Sequence, residues 1–367
     1  AWRWSLTGLW LCLALAALAG KLLRGRVRLA AAGACLAGFA GCLALAVQGD
    51  SLIDLTTSPT SVFRADDAYY GQHPQREEEP AFQIAVYDMD LALGRELRAA
   101  VTMDLEGPAL SAYPFTLYHG YQVTRVTDEN GAALPFTREG DYLTVTPAGP
   151  LSSLTVEYAG SSPMFYSGSQ GTCLPGCFPY YPWAGYRKVF YGEPGDEPRL
   201  LAFIPRTDLP ESEFAVKVTG GKNVQVSLPE AGGAYRGRAN GFSLMGGLLE
   251  ARELGPYRLV TSPLAPPGYQ ATGEWLDQLQ TAITREEERQ GLSPVIRLSD
   301  YVLFQDSETL LNRAGYGLAL VFSDHMFLRF GWDADSLAEE IVSQYYGPVN
   351  LPGEAELAEL ERQAMGQ

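Results

Sequence analysis

Histidine is scarce in this chain: there are three in 367 residues, His73, His119 and His325. No two of them lie four apart, which excludes a metal site made of two imidazoles on successive turns of one helix. Acidic residues are missing before Asp50, where the charges are Arg3, Lys21, Arg24, Arg26 and Arg28. From Asp50 onward 43 acidic residues face 22 basic ones, a formal charge of −21. A surface of that sign repels nucleic-acid phosphates and anionic lipid headgroups, so a polyanion partner is disfavoured for this part and no nucleic acid is expected. Cysteine is also sparse. Cys12, Cys35 and Cys42 fall in apolar runs, where a small packing role is the default. Cys173 and Cys177 flank Leu174-Pro175-Gly176, a turn, and lack the further ligands of a metal site. In an extracytoplasmic domain they are a candidate disulfide.

What the chain does have begins with two uncharged runs, 6–20 and 29–47, the first preceded by Trp2 and Trp4 as interfacial anchors. Gly33, Gly38 and Gly41 in the second allow close helix contact. The short basic loop between the runs is cytoplasmic under the positive-inside rule. That makes residues 1–48 a transmembrane hairpin at the cell membrane and puts everything after 49 on the extracytoplasmic side. A secretory signal is the competing reading, with a basic region at 21–28, an apolar region, and Ala44-Leu45-Ala46 as cleavage site. The chain starts at Ala1, and we read it as a piece of something longer.

Residues 49–80 are polar and proline-containing, a linker with little regular structure. From Phe82 the apolar period becomes two, with short strands and turn signals such as Glu129-Asn130-Gly131. This predicts an antiparallel β domain over 81–264. Thr272 to Gln290 reads as a capped helix whose Glu286-Glu287-Glu288 run is a solvated face. Strands and helices then alternate, so 265–367 is read as part of an α/β domain. The fold class is multi-domain α+β.

Near the end, Asp333, Asp335 or Ser336 can cap a helix with Leu337, Ile341 and Tyr345 on one face, stopped by Gly347 and Pro348. Within it, Ala338-Glu339-Glu340-Ile341-Val342-Ser343-Gln344-Tyr345-Tyr346-Gly347 resembles the zinc helix of the gluzincin aminopeptidases, A-H-E-[ILV]-[AS]-H-Q-W-W-G. There two histidines hold zinc and the glutamate between them activates water. Glu340, Gln344, the aromatic pair and Gly347 match the pattern. The two ligand positions carry Glu339 and Ser343, so the resemblance implies the frame of the motif without its metal-binding chemistry.

Other passages in the same order are similar to that family. These are Phe178-Pro179-Tyr180-Tyr181-Pro182-Trp183, the strands beginning at Phe214 and Val224, and Gly241-Phe242-Ser243-Leu244-Met245-Gly246-Gly247. The resemblance spans 82–347 and implies a β domain followed by a zincin-like domain. It places Ala314 where the family has the glutamate that grips the substrate's amino terminus. For the third ligand it offers Glu354, Glu356, Glu359 or Glu361 without the surrounding pattern, and it leaves the catalytic tyrosine past the last residue. His325, after Asp324, is either a substitute ligand or a hydrogen-bonded core histidine. Tyr180, Tyr181, Trp183 and Tyr345 are candidate cleft-lining residues, with aromatic packing as the other reading.

A membrane hairpin followed by such a domain is also similar to ABC-transporter permeases that carry a gluzincin-like domain. The expectation is a non-catalytic, membrane-tethered domain that binds a peptide or partner protein, alongside an ATP-binding transporter subunit and without a cofactor. The alternative is an active zinc aminopeptidase with a rearranged site, in which Glu339 or a later glutamate ligates zinc and Glu340 is the general base.

Overall fold

The computed structural model describes residues 2–22, 24–48, 66, 69–168, 171–191, 202–263, 270–305 and 317–347. The chain divides into two compact units, Ala1–Ser58 and Pro59–Gln367.

The first unit is a pair of helices, α1 (Trp2–Leu22) and α2 (Gly25–Gln48), reversed at Gly25, whose φ of +62° suits glycine. Leucine and alanine dominate both helices, and neither has a polar face. Contact is close where side chains are small: a Cβ on Gly8 meets Cys42 Sγ at 2.7 Å, and one on Gly38 meets Cys12 Sγ at 3.1 Å. Of the three glycines expected to allow this approach, Gly38 does so, while Gly33 and Gly41 face open space. Two spans were expected from the sequence. Among the described residues one stretch, Gly25–Leu43, is long and apolar enough to cross a membrane, and Thr7–Leu22 is a shorter apolar helix. One such helix near the N-terminus is compatible with membrane anchoring and with a signal sequence.

The second unit is mostly sheet. Its largest sheet has seven strands in the order Glu230–Ala231, Ala234–Ala239, Ser212–Gly220, Gln83–Leu93, Leu97–Glu106, Ser153–Gly160, Tyr121–Asp128. Met89, Leu91, Val101, Met103, Leu154 and Val156 are buried from alternate positions, as the period of two predicts. The expectation of a purely antiparallel domain needs one correction. Gln83–Leu93 runs parallel to Ser212–Gly220, with Met89 opposite Val216. A parallel pair needs a long crossover, and here the chain builds most of the remaining strands before it returns.

A five-stranded sheet, Glu250–Leu254, Tyr257–Thr261, Val302–Gln305, His325–Leu328, Ala319–Val321, draws strands from both sides of residue 264. Its faces alternate cleanly. Leu259, Leu303, Met326 and Leu328 point into one core, with Leu276, Leu279 and Ile283 of helix α3 (Gly273–Arg289). Val260, Phe304, Leu320 and Phe327 point into the other, shared with the larger sheet. This sheet is therefore a wall between two cores. Helix α4 (Ala334–Tyr346) packs on the α3 side through Leu337, Ala338, Ile341 and Val342.

Two polar stretches find specific partners here. Residues 69–80 have little regular structure, as expected of the linker, and are docked on the β strands. Glu77 and Glu79 pair with the buried guanidinium of Arg187, Glu77 also with Arg206, and the Gln75 side chain bonds Val189 N, Phe190 N and Phe190 O. Within Glu286-Glu287-Glu288, Glu287 is fully buried and accepts from Val295 N (2.9 Å), Ile296 N (3.2 Å) and Tyr346 Oη (2.7 Å). The solvated face expected of this run therefore holds for Glu288 alone, the Glu286 side chain being 11% exposed and paired with Arg289 at 2.6 Å.

Candidate functional site

Helix α4 starts at Asp333, whose extended backbone (ψ 148°) and carboxylate receive Ser336 N at 2.8 Å. This hydrogen bond holds the Asp333 carboxyl below its ordinary value. Gly347 ends the helix, its N–H bonded to Ser343 O. With Leu337 and Ile341 turned into the core, the helical period fixes where the motif residues point. Glu339 and Ser343, four apart, face solvent. Glu340 and Gln344, also four apart, face the edge strand Ala319–Val321.

That strand has His325–Leu328 on one side and, among the described residues, no strand on the other. Glu340 and Gln344 satisfy its free edge. The Glu340 carboxylate accepts from Leu318 N (2.6 Å), Ala319 N (3.3 Å) and Gln344 Nε2 (3.0 Å). Gln344 Oε1 accepts from Val321 N (3.1 Å), and its Nε2 donates to Ala319 O (2.8 Å). Gly317 makes the approach possible: its φ is +51°, and a Cβ there collides with the Glu340 carboxylate. Burial raises the Glu340 carboxyl above its ordinary value, and the hydrogen bonds from Leu318, Ala319 and Gln344 oppose that without cancelling it. The carboxylate thus holds two backbone amides and a side-chain amide of its own protein.

These residues do not fit a catalytic zinc. Glu339 is exposed, 3.9 Å from Arg289, and Ser343 offers a neutral hydroxyl. Among the described residues no three His, Cys, Asp or Glu side chains converge on a point that could hold a metal ion. Ala314, Glu354, Glu356, Glu359 and Glu361 lie outside the described residues.

His325 is not a substitute ligand. It is fully buried, with Nε2 2.7 Å from Ser243 Oγ and Nδ1 2.6 Å from Asp324 Oδ1, and its ring stacks on Phe322 at 4.1 Å. Serine, histidine and aspartate meet in the order of a hydrolase relay. Ser243 is nonetheless fully buried and receives Gly176 N–H at 2.8 Å, so no substrate reaches its oxygen. The trio fastens the turn at Gly176 and the strand at Ser243 to the five-stranded sheet. Sequence spacing could not reveal it, because Ser243 and His325 are 82 residues apart. The adjacent Asp324-His325 pair was the one visible sign.

The candidate cleft residues separate. Tyr180, Tyr181 and Trp183 are at most 1% exposed and belong to the core, the aromatic-packing reading. Tyr180 Oη donates to Phe242 O (2.6 Å) and its own carbonyl accepts from Tyr158 Oη (2.6 Å). Tyr181 and Trp183 border one crevice of about 40 Å³, room for water and little else. Tyr345 is 41% exposed and leaves the face of Leu337 and Ile341, stacking edge-on against Tyr346.

The Cys173–Cys177 disulfide is not formed. Cys173 is fixed opposite Met245 in a strand pair, and Cys177 lies past the Pro175-Gly176 turn as a buried free thiol. Burial pushes the Cys177 thiol well above its ordinary value. We expect Cys177 to resist a maleimide in the native protein and to react on unfolding, read by mass spectrometry. Labelling under native conditions contradicts this burial.

No protein-family model matches the chain, and no curated protein matches it. Among solved structures it is similar to an M1 zinc metallopeptidase from Deinococcus radiodurans, at 17% identity and a TM-score of 0.46, over 80% of this chain and 73% of that one. It is similar to leukotriene A4 hydrolase from Saccharomyces cerevisiae at 14% identity and a TM-score of 0.44, over 74% of this chain and 45% of that one. An aminopeptidase N family protein from Idiomarina loihiensis is similar at 13% identity and a TM-score of 0.39, over 66% of this chain and 42% of that one.

Proposed function

We propose that this chain carries a peptidase-like domain without hydrolytic activity, held at the cell membrane by its N-terminal helices and displayed on the extracytoplasmic side. The observation that carries this reading is the Glu340 carboxylate bound to Leu318 N and Ala319 N while Glu339 and Ser343 face solvent. A general base needs a free carboxylate beside a metal-bound water. This one is spent on the edge of a sheet. The apolar run Gly25–Leu43 supports the anchor, and the basic turn before it supports the orientation.

The domain is part of an ABC-transporter permease or a similar membrane protein working with an ATP-binding subunit, and it binds a peptide or partner protein. An extended peptide that pairs with Ala319–Val321 has to displace Glu340 and Gln344 first, so binding at this edge is in competition with the protein's own side chains.

Purified chain is expected to hold far less than one zinc per molecule by elemental analysis, and to leave aminoacyl-anilides intact with zinc supplied. Stoichiometric zinc, with hydrolysis that Glu340→Gln abolishes, sinks this reading and establishes the rearranged zinc enzyme. Glu339→His combined with Ser343→His is expected to gain zinc binding in a calorimetric titration, because both positions already share one outward helical face.

A further inference from the structure

Lys21, Arg24, Arg26 and Arg28 crowd the tip of the helical pair, all exposed. Neither α1 nor α2 contains an acidic residue, so nothing on these helices neutralises them. The first helix ends at Leu22 and the second begins at Gly25, which leaves every one of the four within about one helical turn of the reversal. Large apolar side chains alternate with them: Leu22 is 70% exposed, Val27 62% and Leu29 75%.

We infer that this tip binds the headgroups of anionic phospholipids, the phosphates pairing with the cations while the acyl chains cover Leu22, Val27 and Leu29. Charge complementarity selects the anion. The interleaved apolar side chains select a lipid, because a free phosphate or a polar protein surface leaves them in water. A turn this short keeps the cations at headgroup depth and presents no loop to a soluble partner. The inference rests on the membrane anchoring proposed above and adds a lipid preference to it.

The full chain in detergent is titrated with phosphatidylglycerol and, separately, phosphatidylcholine, and bound lipid is counted by native mass spectrometry. Phosphatidylglycerol is expected to bind at least tenfold more tightly, with affinity falling about fivefold for each cation removed in Lys21→Gln, Arg24→Gln, Arg26→Gln and Arg28→Gln. Arg24→Lys, Arg26→Lys and Arg28→Lys together retain the preference. Equal binding of the two lipids, or equal binding by wild type and the four-fold glutamine variant, overturns the inference and assigns the cations to a protein surface. Displacement of the lipid by millimolar inorganic phosphate overturns it in favour of a simple anion site. Alkaline carbonate extraction of native membranes separates the two claims. Release of the chain overturns the anchoring itself, whereas retention with no lipid preference overturns this inference alone.

Discussion

His325→Ala is expected to lower the stability of the folded region after residue 59 by about 3–5 kcal/mol, the range for removing a large buried ring. Three losses combine. The ring leaves a cavity beside Phe322, Phe304 and Phe327, against which it packs. Ser243 Oγ loses its partner at 2.7 Å, and Asp324 loses its own at 2.6 Å. A buried polar group left without a partner costs about 1–3 kcal/mol, more if charged. His325→Gln separates these contributions, because its amide oxygen can take the place of Nε2 against Ser243 while nothing replaces Nδ1 against Asp324. Urea unfolding followed by tryptophan fluorescence should place the glutamine variant between wild type and alanine. A loss below 1 kcal/mol for alanine would contradict the role of this trio as a fastening between the β strands and the five-stranded sheet.

The second large effect belongs to the edge of that sheet. Glu340→Ala with Gln344→Ala strips partners from three amides, Leu318, Ala319 and Val321, and from the Ala319 carbonyl. Water can reach part of this edge, so each group costs about 1 kcal/mol and the pair of substitutions about 2–4. Hydrogen exchange is the direct measurement: the three amides should exchange faster, and the bared strand should recruit extended peptides or copies of itself. Unchanged exchange at these positions contradicts the capping role.

Glu340→Gln is milder and carries the pH signature. The Glu340 carboxyl sits above its ordinary value of 4.5, so folding favours its protonated form. Its contribution to stability is therefore complete below that value and is lost as pH rises through the raised one. Wild type should lose stability across this acidic window relative to Glu340→Gln, and coincident pH profiles would show that the carboxyl is not buried against the edge as described.

Several features were legible in the chain itself. The period of two marked the β strands from Phe82 onward, and Thr272 announced helix α3, whose Trp275 N–H its side chain accepts at 3.1 Å. The capping and apolar pattern of 333–347 marked a helix with Leu337 and Ile341 on its inner face. These are local statements, and short-range geometry is enough to make them.

Other features depended on which element covers which. Periodicity says that Leu337 and Ile341 point inward, yet it cannot say that Glu340, one position before Ile341, meets amides 21 and 22 residues earlier at an edge strand. Glu286, Glu287 and Glu288 look alike in sequence, and only Glu287 finds Val295 N, Ile296 N and Tyr346 Oη at the helix interior. Cys173 and Cys177 look like a pair in sequence, whereas the structure has Cys177 as a buried free thiol.

By itself, the sequence marked the β-rich region after Phe82, the helices α3 and α4, and how charge divides at Asp50, while the strand His325–Leu328 went unread. Tertiary structure decided the fate of the groups that remain: Glu340 caps a strand, His325 joins Ser243 to Asp324, and residues 69–80 strap onto the β strands. The physical reason is that a polar group's role depends on its desolvation and its partner, and both are supplied by residues distant in the chain.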